Sequence, residues 1–215
     1  MADKYQSMAQ LYANEPQKHY QVSHRKHPNS PVLILSPHGG GIEALTSDLA
    51  REVAGDDFSL FDFAGRMSAG NFKNLHVTSR HYDCMLAKRL STAASFSLSF
   101  HGCRGKDEEK ITFLGGGDYV GRDIVQRHLE QAGFSVEEAP PHLSGLGEDN
   151  IVNQNKRGKG IQLELTTSLR KSFISHSILK GLLNRSSAKN FSPLFYKYCA
   201  AIKSALFELV ELELN

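Results

Sequence analysis

VLILSPHGGGIEALTSD, residues 32–48, decides how the rest of the chain is read. Val32 to Ser36 form a continuous apolar run between Pro31 and Pro37, the pattern of a strand covered on both faces. Three glycines follow at 39–41, allowing a tight path with dihedrals closed to other residues. From Ile42 the apolar residues Ile42, Leu45, Leu49 and Val53 recur at helical spacing, so a helix over 42–53 is expected. A buried strand, a glycine turn and a helix form the opening unit of an open α/β sheet, in which ligands collect at the carboxyl ends of the strands.

Further strands are expected at 58–63, 75–79, 95–102, 110–115, 134–138 and 160–166, with helices at 82–93 and 118–132 between them. The fold class implied is α/β, a single domain with an open, mixed and mostly parallel sheet and helices on both faces. Residues 1–30 read as a polar lead-in with a short helix near Tyr5–Ala13, and a core-packing helix is expected from Ser187 to the C-terminus. One core accommodates 215 residues, so residues 1–215 are taken as one domain.

Composition removes several classes of function. A net charge of +2 gives no general affinity for nucleic acid. No apolar run approaches the roughly 20 residues that span a bilayer, and the N-terminus lacks the pattern of a secretory signal, so synthesis in the cytoplasm and no membrane partner are expected. Cys84, Cys103 and Cys199 are odd in number and far apart, against a disulfide framework or a CxxC metal site. Any metal must then rely on histidines and carboxylates.

Three chemistries can claim the loop after the first core strand. Gly39, Gly41 and Ala44 match the dinucleotide pattern G-x-G-x-x-A, with Asp62 on the next strand as the ribose-binding acid. His38 to Gly41 also spell the oxyanion loop of lipase-like hydrolases, which demands a G-x-S-x-G elbow that the chain lacks. In the third reading His38 leaves the strand end and Glu43 turns back to meet it at a metal. SFSLSFHG (95–102) ends with the same His-Gly punctuation and supplies His101. Two histidines and one carboxylate, with a position left for water, make a hydrolytic zinc set. Glu164 is the matching base: GIQLELT alternates, and a carboxylate in mid-strand among apolar residues is costly to bury without a purpose. Each histidine alone can equally be a hydrogen-bonded core residue, and Glu164 can be a solvent-facing residue of an edge strand.

SPHGGGIEALTSDLA, LHVTSRHYD, SFHG and GKGIQLELT, in that order over residues 34–168, resemble the poly-gamma-glutamate hydrolase family of bacilli and their phages, whose fold is similar to that of zinc carboxypeptidases. The resemblance implies one Zn2+ on His38, Glu43 and His101, Glu164 as general base and transition-state stabiliser, and a gamma-linked glutamate polymer as substrate. The ligand spacing is His-x4-Glu rather than the carboxypeptidase His-x2-Glu. No Asn-Arg pair lies between Glu43 and His101 to grip a terminal carboxylate, since Asn184-Arg185 comes later, so internal cleavage is expected.

A chain bearing a free carboxylate on every residue needs several donors. Asn153 and Arg157 in NIVNQNKRGKG are the first choices, then Arg80, His81 and Arg104, while His76 is divided evenly between core and site. Arg66, Lys73, Lys106, Lys159, Arg170 and Lys171 add positive charge in the surrounding loops. The protein is expected to be a monomer acting on extracellular capsule polymer, reached after lysis. Another zinc amidase on a gamma-glutamyl or acyl-amino-acid substrate, or a metal-free polyanion-binding domain, remain the competing readings.

Overall fold

The computed structural model describes residues 3–175 and 191–214. In chain order the elements are α1 (Met8–Asn14), β1 (Tyr20–Arg25), β2 (Val32–Gly40), α2 (Thr46–Ala54), β3 (Ser59–Gly65), α3 (Asn71–Leu75), α4 (Met85–Ala93), β4 (Phe96–Cys103), β5 (Ile111–Gly115), α5 (Tyr119–Gln131), β6 (Ser135–Glu138), β7 (Ile161–Thr166), α6 (Thr167–Ser172) and α7 (Pro193–Leu214). The strands form one mixed sheet in the order β1-β3-β2-β4-β7-β5-β6. β3, β2, β4 and β7 are parallel, while β1 on β3 and β5 on β7 are antiparallel.

β2 shows why the central strands read as unbroken apolar runs. Val32 and Ile34 join a cluster with Leu49, Leu163 and Tyr198 on one face. Leu33 and Leu35 join Met8, Phe61 and Leu90 on the other. α2, α5, α6 and α7 cover the first face, and α1 and α4 the second. Burying a Leu or Phe side chain in such a layer contributes about 1.5–3 kcal/mol.

Two sequence expectations change. The 75–79 stretch is not a strand: α3 ends at Leu75, and after an extended passage a 3-10 turn follows at Ser79–His81. Its backbone is used elsewhere, since the Val77 carbonyl accepts from His38 and the Thr78 amide donates to Asp3. The lead-in is not wholly irregular either, because β1 pairs with β3 from Tyr20 opposite Gly65 to Arg25 opposite Leu60. Its side chains are half-buried or exposed, so it carries no apolar signature. Asn184, Arg185 and the start of the expected C-terminal helix at 187–190 lie outside the described residues.

The chain leaves β2 toward β3 on one side and later returns to β4 on the other, so a topological switch point lies between β2 and β4. Their pairing runs only from Val32 opposite Phe96 to Leu35 opposite Ser99. Beyond it β2 follows β3 alone, through an irregularity between Ser36 and Gly39. The two strand ends therefore part, and a crevice opens at their carboxyl termini.

Candidate metal centre

The glycine turn brings Glu43 back over the end of β2. The Glu43 amide donates to the His38 carbonyl at 2.9 Å, and the Ile42 amide to Gly39 at 3.2 Å. Leu45 closes the turn with φ 76°, a left-handed conformation costing a non-glycine residue about 1–3 kcal/mol, and its buried side chain anchors the strained backbone. α2 consequently starts at Thr46, later than the spacing predicted. Behind the turn Arg51 pairs with Asp62, Asp62 accepts from Ser47 Oγ at 2.6 Å, and Ser47 Oγ accepts from the Gly40 amide at 2.8 Å. A Cβ at Gly39 would stand 2.1 Å from Ser47 Oγ and 2.3 Å from Asp62 Oδ1, so only glycine fits. Asp62 is thus committed to holding the turn, which removes the ribose-binding role that the dinucleotide pattern gave it.

Three side chains converge in the crevice. His38 Nδ1 lies 3.1 Å from His101 Nδ1 and 3.2 Å from Glu43 Oε1, and His101 Nδ1 lies 3.6 Å from Glu43 Oε2. All three residues are buried. A carbonyl only accepts, so the 2.8 Å contact with Val77 O fixes the proton of His38 on Nε2 and leaves an Nδ1 lone pair facing the others. The separations bracket roughly 3.4 Å, the distance between two donors each about 2.1 Å from a tetrahedral zinc. His101 Nε2 is buried with no hydrogen-bond partner among the described residues. Lone pairs and a carboxylate aimed at one point suit a cation.

His76 is a fourth donor. The ligand atoms of His38, Glu43 and His76 all lie within 4.8 Å of one another, and the His76 ring sits 4.1 Å from that of His38. Its Nδ1 donates to Asp3 Oδ1 at 2.7 Å, and Nε2 faces Glu43 Oε1 at 3.7 Å. Burial, with His38 alongside, lowers its pKa to about 4, so the ring is neutral near pH 7. His76 is half-buried and turned toward the cluster.

Glu164 stands opposite His101 in the β4–β7 register. Gln162 Nε2 donates to its Oε1 at 3.1 Å, and Gln162 is itself fixed by Leu143 O and Asn150 Nδ2. Burial, with the Glu43 charge nearby, raises the Glu164 carboxyl well above the ordinary range. A carboxyl displaced upward beside a cluster of metal-type donors is a mark of a reaction centre.

The residues expected to bind substrate are placed differently. Asn153 donates to Gly145 O and Gly147 O and accepts from the Gly117 and Gly160 amides, so all four of its bonding positions are used. Arg157 pairs with Asp118 at 2.7 Å and lies over the Phe96 ring. Arg80 pairs with Asp149 at 2.9 Å on the surface, and His81 and Arg104 are exposed. Asn153, Arg157 and Arg80 are thus engaged by partners within the protein, and His81 and Arg104 face solvent. Asp3 and Gln162 were missed: the alternation that exposed Glu164 places Gln162 on the same face, but no local signal marks Asp3.

An open, mostly parallel sheet with buried histidines and carboxylates at a switch point defines an α/β protein built for ligand chemistry at its strand ends. The same fold occurs in the solved structure of a bacteriophage poly-gamma-glutamate hydrolase, with a TM-score of 0.88 and 31% identity over 98% of this chain and 100% of that one. A zinc-free YndL structure matches at 0.85 and 34% identity over 96% and 98%. The UPF0714 protein YmaC of Bacillus subtilis (strain 168) is 38% identical over 95% of this chain and 84% of its own length. The poly-gamma-glutamate hydrolase family model matches residues 5–201, and the chain belongs to that family.

Proposed function

We propose that the protein is a zinc-dependent hydrolase that cleaves gamma-glutamyl amide bonds inside poly-gamma-glutamate, with His38, Glu43 and His101 holding the metal. The observation that carries this reading is the convergence of His38 Nδ1, His101 Nδ1 and the Glu43 carboxylate within 3.6 Å, beside Glu164. Zinc, when bound there, supplies Lewis acidity and lowers the pKa of the water it holds. Glu164 takes a proton from the attacking water and returns it to the nitrogen of the departing amine. Gln162 holds Glu164 in place, Val77 O fixes the His38 tautomer, and Asp3 fixes that of His76. The zinc-free state named for the YndL structure and the name of the bacteriophage relative support metal and substrate respectively. No helix among the described residues is long and apolar enough to cross a membrane, and we take the polymer to be met outside the cell after lysis.

Gel sizing of poly-gamma-glutamate after incubation, with and without chelator, tests the reading. Mid-sized fragments that disappear with chelator are expected and return with added zinc. Release of single glutamates alone would exclude internal cleavage, and cleavage that persists after verified metal removal would exclude the zinc centre.

A further inference from the structure

Behind the metal-ligand turn lies a groove of about 790 Å³, a size that encloses an extended ligand. One wall is the 65–72 loop with Arg66, and the other is α6 with Arg170 and Lys171. Arg66 and Lys171 are exposed. Arg170 is held between the strand ends, donating to the carbonyls of Ala44, Cys103 and Leu165, with no carboxylate pairing with it among the described residues. It touches the reaction centre from behind. A Cβ at Gly102 would meet the Arg170 guanidinium at 2.6 Å, and the Gly102 amide donates to Glu43 Oε2 at 2.9 Å.

The groove is electrostatically one-sided. Its remaining cation, Arg51, is neutralised by Asp62, and its acid is Asp48, whose carboxyl burial pushes up to about 6. Arg66, Arg170 and Lys171 thus line the groove against one acid, Asp48, which leaves it net positive. Arg170 already donates to four neutral oxygens, those of Ala44, Cys103, Leu165 and Thr167 Oγ1, so it acts on an incoming anion through its charge.

We propose that this groove is an extended polymer subsite, in which Arg66, Arg170 and Lys171 receive the alpha-carboxylates of glutamyl residues beyond the scissile bond. The inference rests on the polymer substrate proposed above and assigns the path that this substrate takes. A path occupied by several consecutive residues favours internal cleavage, because long chains gain contacts that short ones lack.

Two measurements on the full chain test it. Binding of fluorescent poly-gamma-glutamate to the Glu164→Gln protein is followed by anisotropy, alone and with Arg66→Glu, Lys171→Glu or both. The double reversal is expected to weaken binding at least about 10-fold and to flatten its salt dependence. Arg89→Glu, an exposed cation outside the groove, serves as the comparison, and thermal melts verify folding. In the Glu164-containing enzyme, the ratio of kcat/KM on long polymer to that on a gamma-glutamyl trimer should fall by a similar factor. Unchanged binding, or an unchanged ratio, overturns the subsite. If the parent protein binds polymer through these residues but cleaves none, the subsite stands and the hydrolase reading falls. If it cleaves polymer and the reversals leave binding intact, the opposite holds.

Discussion

The ends of β2, β4 and β7 and the 144–160 loop are both rich in buried polar side chains, but they use them in opposite ways. In the loop every amide closes on a neighbour. Asn150 bridges Gln162 Oε1 and the Val152 amide, Asn153 joins four glycine backbone groups, and Asn155 ties Ser97 Oγ to Lys159 O. At the strand ends, a His38 lone pair and the Glu43 carboxylate face each other, and His101 Nε2 finds no partner among the described residues. A polar cluster that satisfies itself builds architecture, and one whose acceptors confront each other is shaped for something that is not protein.

Glu164→Gln presses hardest on that contrast. Turnover should fall by about 10³-fold, within the range for a lost general base, while the melting temperature holds or rises because a buried carboxyl is replaced by a neutral amide. Retained turnover with zinc still bound would remove Glu164 from the chemistry. Asn153→Ala should do the reverse, lowering unfolding stability by roughly 3 kcal/mol through several orphaned backbone groups, with activity per folded molecule kept near that of the parent. A turnover loss as deep as that of Glu164→Gln, with stability intact, would return Asn153 to the substrate-binding role its sequence suggested.

Smaller effects probe how the first residues of the chain reach the centre. Asp3→Asn weakens the acceptor that fixes His76, and zinc affinity measured by chelator competition should drop about 10-fold. An unchanged affinity would show that His76 acts by packing against His38 alone. The least effect is expected from Glu15, whose carboxylate Lys4, Tyr5 and His19 hold down to about 2. A depressed carboxyl stabilises the folded state above its unfolded pKa, about 4.3, and that contribution is lost as pH falls through the folded value. Glu15→Gln should therefore lower the melting temperature slightly at pH 7, with most of the difference gone by about pH 2. A gap that persists in acid would mean that packing, and not charge, anchors α1.

Much of this was legible in the sequence where local pattern and tertiary role coincide. The His-Gly strand ends and the alternation around Glu164 are periodic signals, and periodicity survives folding because it reflects which face is buried. The partners of the polar loop residues were not legible in the same way. Asn153 and Arg157 have the right donors, but composition does not say which partners claim them, and Asp118 and four glycine groups do. Asp3 and His76 come together across 73 positions, and nothing local in either segment announces the meeting. LHVTS has strand-like residues, yet its backbone is drawn off to serve His38 and Asp3. The edge strand β1 is visible only through its pairing with β3.

The adjacency of β4 and β7 bears on when the centre comes into being. His38 and Glu43 can meet early, within one turn of chain, but Glu164 reaches its place only when residues 161–166 dock beside a strand completed at Cys103. Pairing across so long an intervening chain is slow to form. Under the proposed assignment, a chain truncated before β7 would carry the metal donors without the base. Assembly of His38, Glu43, His101 and Glu164 into one cluster thus waits on completion of the sheet.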